Sequence, residues 1–588
     1  RSQPMNAPLH QPLFLPRFSL AAEVDEFIEM LARFERGELS PDAWRKFRLL
    51  RGTYGQRQDE VQMIRIKIPL GYLTAPQARV IADVAERHAH GLAHLTTRQN
   101  FQFHFVQLAE VPALLRALEE VGITTREACG NSVRNVTMSE LSGVDPHQIF
   151  DVRPHGETLV RFFLRHPKSS DLPRKFKIAL SCSPRDCAQA AIHDIGLIAA
   201  KRDGARGFRV LVGGGLSTSP QNAALLYEFL PEAELLEVAE AILLLFDARG
   251  NRSNKHRARL KYVLRDLGID GLRTAVEELR VTIRARGDAP PVFQATPEPP
   301  PPPADRATPA EAAPGYLTWR ASNARAQLQP GYFAVYIRLP LGDITSVQLR
   351  AVADASERFA NGAVWTSSDQ NLLLRFVPVG DLKALHAALV AAGLAADGAG
   401  TLRDITSCPG ADSCNLAVTT SRGLGRAISN ALEGALAAGG ALAQAVELAR
   451  DATIKISGCP HSCGRHHIAD LGFHGAARKI GGKAMPVYQL HLGGRVDGNG
   501  AVFGEQVVKI PAKRVPSAVL LLVEHFAVER QGEETFAAYL RRLPADRLKA
   551  LLATHTSIEP ADAKDDEFLD FDAQHGFVVE TKAGECAA

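Results

Sequence analysis

The sequence lacks the features that mark several broad classes of protein. No apolar run approaches the roughly 20 residues that a membrane helix needs, and the best candidate, around Ala518–Val528, is far too short. The N-terminal residues show no basic segment followed by an apolar one, the pattern of a signal peptide. Lysine and arginine number 68 against 65 acidic residues, and this net charge of +3 argues against a dedicated nucleic-acid binder.

Cysteine is also scarce, since the 588 residues contain only 8, so a disulfide scaffold is excluded. Hydrophobic residues make up 46% and charged residues 23%, which is ordinary globular usage and excludes long-range disorder as the main state. We therefore expect a cytoplasmic protein with neither a membrane nor a nucleic acid as its partner. In such a protein, clustered cysteines more often hold metal or carry out redox chemistry.

One segment departs from this composition. Residues 289–315 are rich in proline and include five consecutive prolines, Pro299–Pro303. Such a run favours an extended polyproline conformation. We predict a surface linker that divides the chain into halves of similar size.

The two halves resemble each other. A shift of 271 positions places residues 65–122 on residues 336–393 without a gap. Identical pairs in this register include Pro69-Leu70-Gly71 with Pro340-Leu341-Gly342, and Gln99-Asn100 with Gln370-Asn371. A fainter similarity relates residues 192–196 to 468–472. The pattern indicates a duplication in which each half holds a small unit followed by a larger one.

The hydrophobic pattern of the small unit predicts its strands and helices. Residues 62–69 and 101–106 alternate in hydrophobicity, which is typical of half-buried strands. Residues 74–87 have helical apolar spacing and begin at a threonine, and residues 111–121 form a second helix that Gly122 ends. The order strand, helix, strand, helix, present twice, indicates α+β or α/β layers.

Four cysteines of the second half form two pairs. Cys408 and Cys414 have C-x5-C spacing, and Cys459 and Cys463 follow with C-x3-C spacing. Four thiolates suit either a [4Fe–4S] cluster or a structural zinc ion, and the lack of tight C-x2-C pairs favours the cluster. The alternative is four unconnected buried cysteines. Cys182 and Cys187 lie where the repeat echoes Cys459 and Cys463, and we interpret them as relics of that site.

The first half contributes cations instead. On a strand, Lys175 and Lys177 would point to the same side, and two like charges so close suggest an anion between them. A solvated basic edge is the alternative. Arg65 has Tyr336 as its counterpart in the other half. The two halves therefore differ in their site residues: the first carries the cations and the second carries the cysteines. We expect the active site at their interface.

The two cysteine pairs resemble those of the siroheme-dependent sulfite and nitrite reductases. The resemblance extends over roughly residues 54–542, the linker excepted, and internal duplication is itself a trait of that family. It implies siroheme and a [4Fe–4S] cluster as cofactors. It further implies that Cys408, Cys414, Cys459 and Cys463 hold the cluster and that Cys463 also bridges to the siroheme iron.

The resemblance implies an α+β fold with internal duplication, in which two ferredoxin-like half-domain units and two larger α/β siroheme-binding domains are related by a pseudo-twofold. The predicted units are an N-terminal extension (1–58), a first ferredoxin-like unit (59–125), a first siroheme and substrate domain (126–288), the linker (289–315), a second ferredoxin-like unit (316–396), a cluster and siroheme domain (397–545) and a C-terminal tail (546–588).

Further site residues are carried over from the same family. Arg65, Arg134, Lys175 and Lys177 match the cations that bind substrate and deliver protons above the siroheme iron. Arg98, Arg174, Arg259 and Lys261 match cations that bind the siroheme carboxylates, the last two in a predicted basic helix within residues 250–262. Tyr54 and Cys129 match a tyrosine–cysteine pair that is covalently linked in some members that reduce sulfite.

We therefore predict an enzyme that reduces sulfite to sulfide with six electrons. A separate ferredoxin or flavoprotein is the expected donor, because the sequence shows no flavin or NADPH domain. Nitrite reduction to ammonia on the same site is the alternative. Lys177 favours sulfite, because relatives specialised for nitrite usually have asparagine there. Two further alternatives are an oxygenase like precorrin-3B synthase and a metal-stabilised scaffold without turnover.

Overall fold

The computed structural model describes residues 16–289, 291–560, 563–582 and 584–585. Parts of the predicted N-terminal extension and C-terminal tail, together with Pro290 of the linker, lie outside the described residues. Within the described ranges, no helix combines the length and the apolar character that crossing a bilayer requires.

The first small unit is an antiparallel sheet covered by helices. Its elements are α1 (Ala21–Glu35), α2 (Pro41–Leu50), β1 (Thr53–Gly55), β2 (Val61–Arg65), β3 (Tyr72–Thr74), α3 (Ala75–His88), β4 (Leu92–Leu95), β5 (Phe101–Gln107) and α4 (Val111–Glu120). Thr74 begins α3 with a capping box, because its hydroxyl accepts from the Gln77 backbone N–H while the Gln77 side chain accepts from the Thr74 N–H. The predicted strands and helices of this unit are confirmed, with ends that differ by a few residues.

The larger unit of the first half follows directly. Its elements are β6 (Thr137–Met138), α5 (Arg153–Phe163), β7 (Ile178–Ser181), β8 (Ile195–Arg202), β9 (Ala205–Val212), β10 (Ala224–Pro231), α6 (Leu235–Arg249) and α7 (Leu260–Arg284). The sheet order is β10-β9-β8-β7-β6, in which β6, β7 and β8 are parallel and the remaining pairs are antiparallel.

The second half repeats both units. Its small unit contains α8 (Tyr316–Asn323), β11 (Ala324–Ala326), β12 (Tyr332–Ile337), β13 (Asp343–Thr345), α9 (Ser346–Phe359), β14 (Ala363–Thr366), β15 (Leu372–Pro378) and α10 (Leu382–Ala391). Its larger unit contains β16 (Thr406–Ser407), α11 (Ser421–Ala438), α12 (Gly440–Leu448), β17 (Ile454–Ser457), β18 (Leu471–Ile480), β19 (Lys483–Leu492), β20 (Arg495–Asp497), β21 (Gly500–Val502), β22 (Glu505–Pro511), α13 (Val515–Glu529), α14 (Phe536–Arg542), α15 (Ala545–Leu551) and α16 (Ala553–Thr556). The large sheet has the order β16-β17-β18-β19-β22.

The halves exchange strands with each other. The first small sheet has the order β1-β2-β5-β4-β13 and the second β11-β12-β15-β14-β3, so each sheet ends in a strand from the other half. The two exchanged strands, β3 and β13, occupy equivalent positions in the repeat. The helices α3 and α9 pack together beside them. The internally duplicated α+β fold is thereby confirmed.

The residues that the repeat retains lie at this junction. Gln99 donates to Thr366 O at 2.8 Å, and its counterpart Gln370 donates to Leu95 O at 2.8 Å. Each buried amide therefore bonds to the backbone of the other half. Gly71 has a φ of 78°, and a Cβ there would lie 2.7 Å from the Thr366 hydroxyl, so this crossing requires glycine.

The linker lies against the body of the protein. Its Glu298 forms an ion pair with Arg153 and another with Arg375, whose guanidinium is 3.2 Å away. Arg375 is 1% exposed and stacks over Trp365, with its central carbon 4.2 Å from the ring centroid. Glu298 thus supplies an acidic partner to a buried cation of the second small unit.

We expect Glu298→Ala to lower the free energy of unfolding by about 3 kcal/mol, because it leaves a buried guanidinium without its carboxylate. Urea unfolding followed by circular dichroism measures the change. Glu311→Ala is the matched control, since Glu311 lies exposed in the same linker. Equal stability of the two variants would show that the linker contact contributes nothing.

Candidate active site

The four cysteines lie on two neighbouring loops of the second larger unit. Cys408 directly follows β16, and Cys459 lies two residues beyond the end of β17. Because β16 and β17 are parallel neighbours, their carboxyl ends meet at the same edge of the sheet. The two cysteine pairs, which lie about 45 residues apart in the sequence, are thereby brought to the same edge.

Glycines allow these loops to approach closely. A Cβ on Gly458 would lie 2.6 Å from Thr419 O and 2.9 Å from the Gly410 Cα. A Cβ on Gly464, directly after Cys463, would lie 1.8 Å from Ile456 O. Neither position admits a side chain without a shift of the backbone.

The cysteine thiols share a buried and electrostatically coupled environment. Burial, followed by the charge of Cys463, raises the pKa of Cys408 to about 12 and also raises the pKa of Cys414 and Cys459. The Gly458 N–H donates to the Cys408 sulfur at 3.3 Å. A bound cation or cluster would stabilise the thiolate forms of these four cysteines. Cys463 is the exposed member of the set.

The spacing of the thiols bears on whether they hold a zinc ion or an iron–sulfur cluster. Among the described residues, two groups of three ligand atoms lie within 4.8 Å of one another, and neither group includes any of these four cysteines. A zinc ion bound at about 2.3 Å by each thiolate would hold the sulfurs roughly 3.8 Å apart. No three of the four thiols form such a close group, which favours an iron–sulfur cluster over a single zinc ion.

The cations of the first half form a second coupled group. Burial, followed by the charges of Arg98, Lys175 and Arg259, lowers the pKa of Lys177 well below its ordinary value. Burial together with Arg465 and Arg134 has the same effect on Arg98. Because positive charges held together in a partly buried site repel one another, such a site favours a bound polyanion.

The guanidinium of Arg98 has one N–H group without a hydrogen-bond partner among the described residues. One of its terminal nitrogens lies 2.9 Å from His193 Nε2, and the other donates to Asn135 O. Its Nε atom is buried and has no partner among the described residues. A guanidinium in this state fits a carboxylate ligand such as those of siroheme.

Arg259 and Lys261 are positioned by different contacts. Arg259 forms a 2.8 Å ion pair with Asp194, which also accepts from the Lys177 backbone N–H at 2.9 Å. Lys261 donates to Leu216 O at 3.0 Å. Burial, followed by the charge of Arg259, lowers its pKa to about 7.

The predicted basic helix within residues 250–262 is wrong for most of its length. Residues 250–259 form a loop with one short 3-10 turn, and α7 begins at Leu260. The Asn251 side chain accepts from the backbone N–H groups of Ser253 and Asn254 at 3.0 and 2.8 Å, which is an Asx turn. Asparagine favours such turns over the interior of a helix.

Arg65 and Arg134 both contact one short segment, Cys129-Gly130. Arg65 donates to the Cys129 sulfur at 3.4 Å, and Arg134 donates to Gly130 O at 2.8 Å. Tyr54 lies on β1 opposite Met63 of β2, the strand that ends at Arg65. The position corresponding to Arg65 in the other half holds Tyr336, which donates to Glu140 at 2.9 Å.

A direct contact joins the segment of Arg98 to the cysteine loop. Thr97, beside Arg98, donates to Cys463 O at 3.1 Å. Burial lowers the pKa of His461, between Cys459 and Cys463, and the charges of Lys175 and Arg174 lower it further. The cationic group of the first half therefore faces the cysteines of the second, across the interface between the halves.

Sequence patterns did not reveal several residues of this interface. Arg465, two residues after Cys463, is buried and donates to Thr97 O and to Gln189. Asp194 anchors Arg259, although its only signal was its recurrence in the repeat as Asp470. Neither residue belongs to a spacing pattern of cysteines or of paired lysines.

The interpretation of Cys182 and Cys187 needs a correction. The strand β17 begins at Ile454 and its counterpart β7 at Ile178, a shift of 276 positions. In that register Cys187 corresponds to Cys463, whereas Cys182 corresponds to Gly458. Their sulfurs are 3.9 Å apart. Only Cys187 therefore corresponds in position to one of the four cysteines of the second half.

Family models match most of the chain. The model described as the nitrite and sulphite reductase 4Fe-4S domain matches residues 129–283 and 398–559. The model described as the nitrite/sulfite reductase ferredoxin-like half domain matches residues 54–121 and 325–392. Each model matches twice, once in each half.

Individual relatives agree with the family models. A ferredoxin–nitrite reductase of Leptolyngbya laminosa is 30% identical over 476 residues, which is 79% of this chain and 86% of the relative. A ferredoxin-type sulfite reductase of Mycobacterium tuberculosis is 30% identical over 493 residues, 83% of each chain. The solved structure of the Mycobacterium tuberculosis NirA protein superposes with a TM-score of 0.74 at 27% identity, covering 90% of this chain and 97% of that one.

We expect Cys414→Ser to lower the iron and acid-labile sulfide content sharply, because a [4Fe–4S] cluster needs four thiolate ligands. Cys182→Ser is the matched control, since Cys182 is a buried cysteine outside the set of four. Iron and sulfide analysis of protein purified without oxygen measures both. Full iron content in Cys414→Ser would remove this residue from the cluster ligands.

Proposed function

The chain belongs to the family of siroheme-dependent nitrite and sulfite reductases, and on that premise we propose that it reduces sulfite to sulfide in a six-electron reaction. The enzymes of this family are oxidoreductases with siroheme and a [4Fe–4S] cluster as cofactors. The relatives include enzymes named for nitrite and enzymes named for sulfite. Reduction of nitrite to ammonia on the same site is the second candidate.

The residues present fit both cofactors. Cys408, Cys414, Cys459 and Cys463 would hold the cluster, and Cys463, the exposed member of the set, would also contact siroheme. Arg98, Arg174, Arg259 and Lys261 would bind siroheme carboxylates, a role that the unmet Nε of Arg98 supports. When bound, siroheme supplies an iron at which an anion is reduced, and the cluster supplies electrons to it one at a time.

The single observation that carries the preference for sulfite is the charge around Lys177. Sulfite is a dianion near and above neutral pH, whereas nitrite carries one negative charge. Arg65, Arg134, Lys175 and Lys177 would bind the oxyanion, and each charge in a partly desolvated site contributes on the order of 1–3 kcal/mol. A cluster of several cations therefore favours the dianion more than the monoanion.

The same cations would supply protons. The oxygens of sulfite leave as water, so each departure requires protons at the anion. Because the pKa of Lys177 is lowered, its ammonium group gives up a proton more readily than an ordinary lysine. The lowered pKa has the opposite effect on binding. As the pH rises through that pKa, Lys177 loses its charge and the affinity for sulfite falls.

We also propose that electrons come from a ferredoxin, as the names of the relatives say of those proteins. A flavoprotein donor is the alternative. Production of sulfide by the purified protein with either donor would dismiss the oxygenase and scaffold alternatives.

We expect Lys177→Asn to raise the KM for sulfite about tenfold or more and the KM for nitrite far less, because the substitution removes one charge. Turnover driven by a reduced dye, with the two substrates assayed side by side, measures both constants. Lys201→Asn, at an exposed lysine, is the matched control. Equal changes for the two substrates would show that Lys177 does not discriminate and would leave a general sulfite and nitrite reductase.

We further predict a thioether bond between Tyr54 and Cys129. The bond would join the Cys129 sulfur to a ring carbon of Tyr54 with loss of one hydrogen from each, and molecular oxygen would be the two-electron oxidant. It lowers the mass by two hydrogens and protects Cys129 from alkylation, so intact mass and peptide mapping detect it. Alkylation of Cys182 in the unfolded protein serves as the internal control. Recovery of unlinked Tyr54 and alkylated Cys129 peptides would rule the bond out.

A further inference from the structure

Three buried histidines of the second larger unit form a group that the proposed reaction does not use. His466 lies in the turn after Cys463, His474 on β18 and His491 on β19. One ring nitrogen from each lies within 4.8 Å of those of the other two. All three side chains are at least nine-tenths buried.

The sheet register brings these histidines together. The antiparallel strands β18 and β19 pair His474 with Gln489 and Gly472 with His491. His474 and His491 are therefore diagonal neighbours on the same face of the sheet. A Cβ on Gly472 would lie 1.9 Å from His466 O, so this glycine allows the turn to pack onto the strand.

Several ring nitrogens of the three histidines have no hydrogen-bond partner among the described residues. His474 Nδ1 and His491 Nε2 are 2.7 Å apart. Both ring nitrogens of His466 and the Nδ1 atom of His491 are buried and have no partner among the described residues. A buried polar group without a partner costs about 1–3 kcal/mol, which favours a ligand at this place.

Burial keeps the three imidazoles neutral. It lowers the pKa of His474 to about 4 and that of His491 to about 3, and it lowers the pKa of His466 still further together with its histidine neighbours. A neutral imidazole has a free lone pair and is the form that binds metal ions.

We propose that His466, His474 and His491 bind one divalent transition-metal ion, with zinc as the best fit to three imidazoles. Zinc takes three histidine ligands at about 2.0–2.1 Å and accepts water as the fourth. Nitrogens bound in this way lie roughly 3.3 Å apart, so the His474–His491 pair needs only a small opening. The ion would tie the turn after Cys463 to β18 and β19.

The test compares metal contents of the purified holoenzyme by mass spectrometry after growth with added zinc. We expect about one zinc per chain in the unaltered protein, and at least a fivefold loss in His474→Ala and in His491→Ala. His386→Ala is the matched control, since His386 is a buried histidine of the second small unit outside this group. It should retain the zinc.

X-ray absorption at the zinc edge of the unaltered protein provides a second readout that does not depend on the folding of a variant. Nitrogen neighbours at about 2.0 Å support the histidine site, whereas sulfur neighbours at about 2.3 Å place the zinc on cysteines and overturn it. Equal zinc in all variants, or no zinc either after growth or after titration with zinc sulfate, also overturns it. Iron content and visible absorption report separately on the proposed function, so either proposal can fail alone.

Discussion

The exchange of β3 and β13 between the two small sheets is the constraint on which the rest of the structure depends. Each strand is only three residues long, yet each completes the sheet of the other half. Gln99 and Gln370 bond across the same junction to the opposite backbone. Because the halves are joined in this way, the segment of Thr97 and Arg98 in the first half lies against the cysteine loop of the second.

The interface combines the four cysteines with the cations around Lys177. Each of these two groups alone is destabilised by repulsion between like charges. Close thiols repel one another once ionised, and the cations around Lys177 lower one another's pKa. An iron–sulfur cluster offsets the first repulsion, and a polyanion offsets the second. The protein thus has the charge pattern of a site built for a metal cluster beside an anionic cofactor and an anionic substrate.

The sequence predicted the parts of the fold that local chemistry dictates. The threonine at the start of α3 acts within the helix that it begins, so its pattern is visible in the chain. The Gln-Asn pairs were visible only as identities of the repeat, because Gln99 and Gln370 bond to the opposite half. The strand exchange was not predicted, because three-residue strands carry no periodicity. The basic segment before Leu260 was misread as a helix, since its charge resembled a helix face while Asn251 directs an Asx turn. Arg465 and Asp194 act through contacts that are distant in sequence, which no spacing pattern reveals.

The most direct test of this account is the cofactor content of the protein purified without oxygen after expression with a supply of siroheme. Acid extraction of the pigment, with iron and labile sulfide analysis, should give about one siroheme, five irons and four sulfides per chain. A colourless protein, or one that carries zinc at the four cysteines in place of iron, would contradict the account.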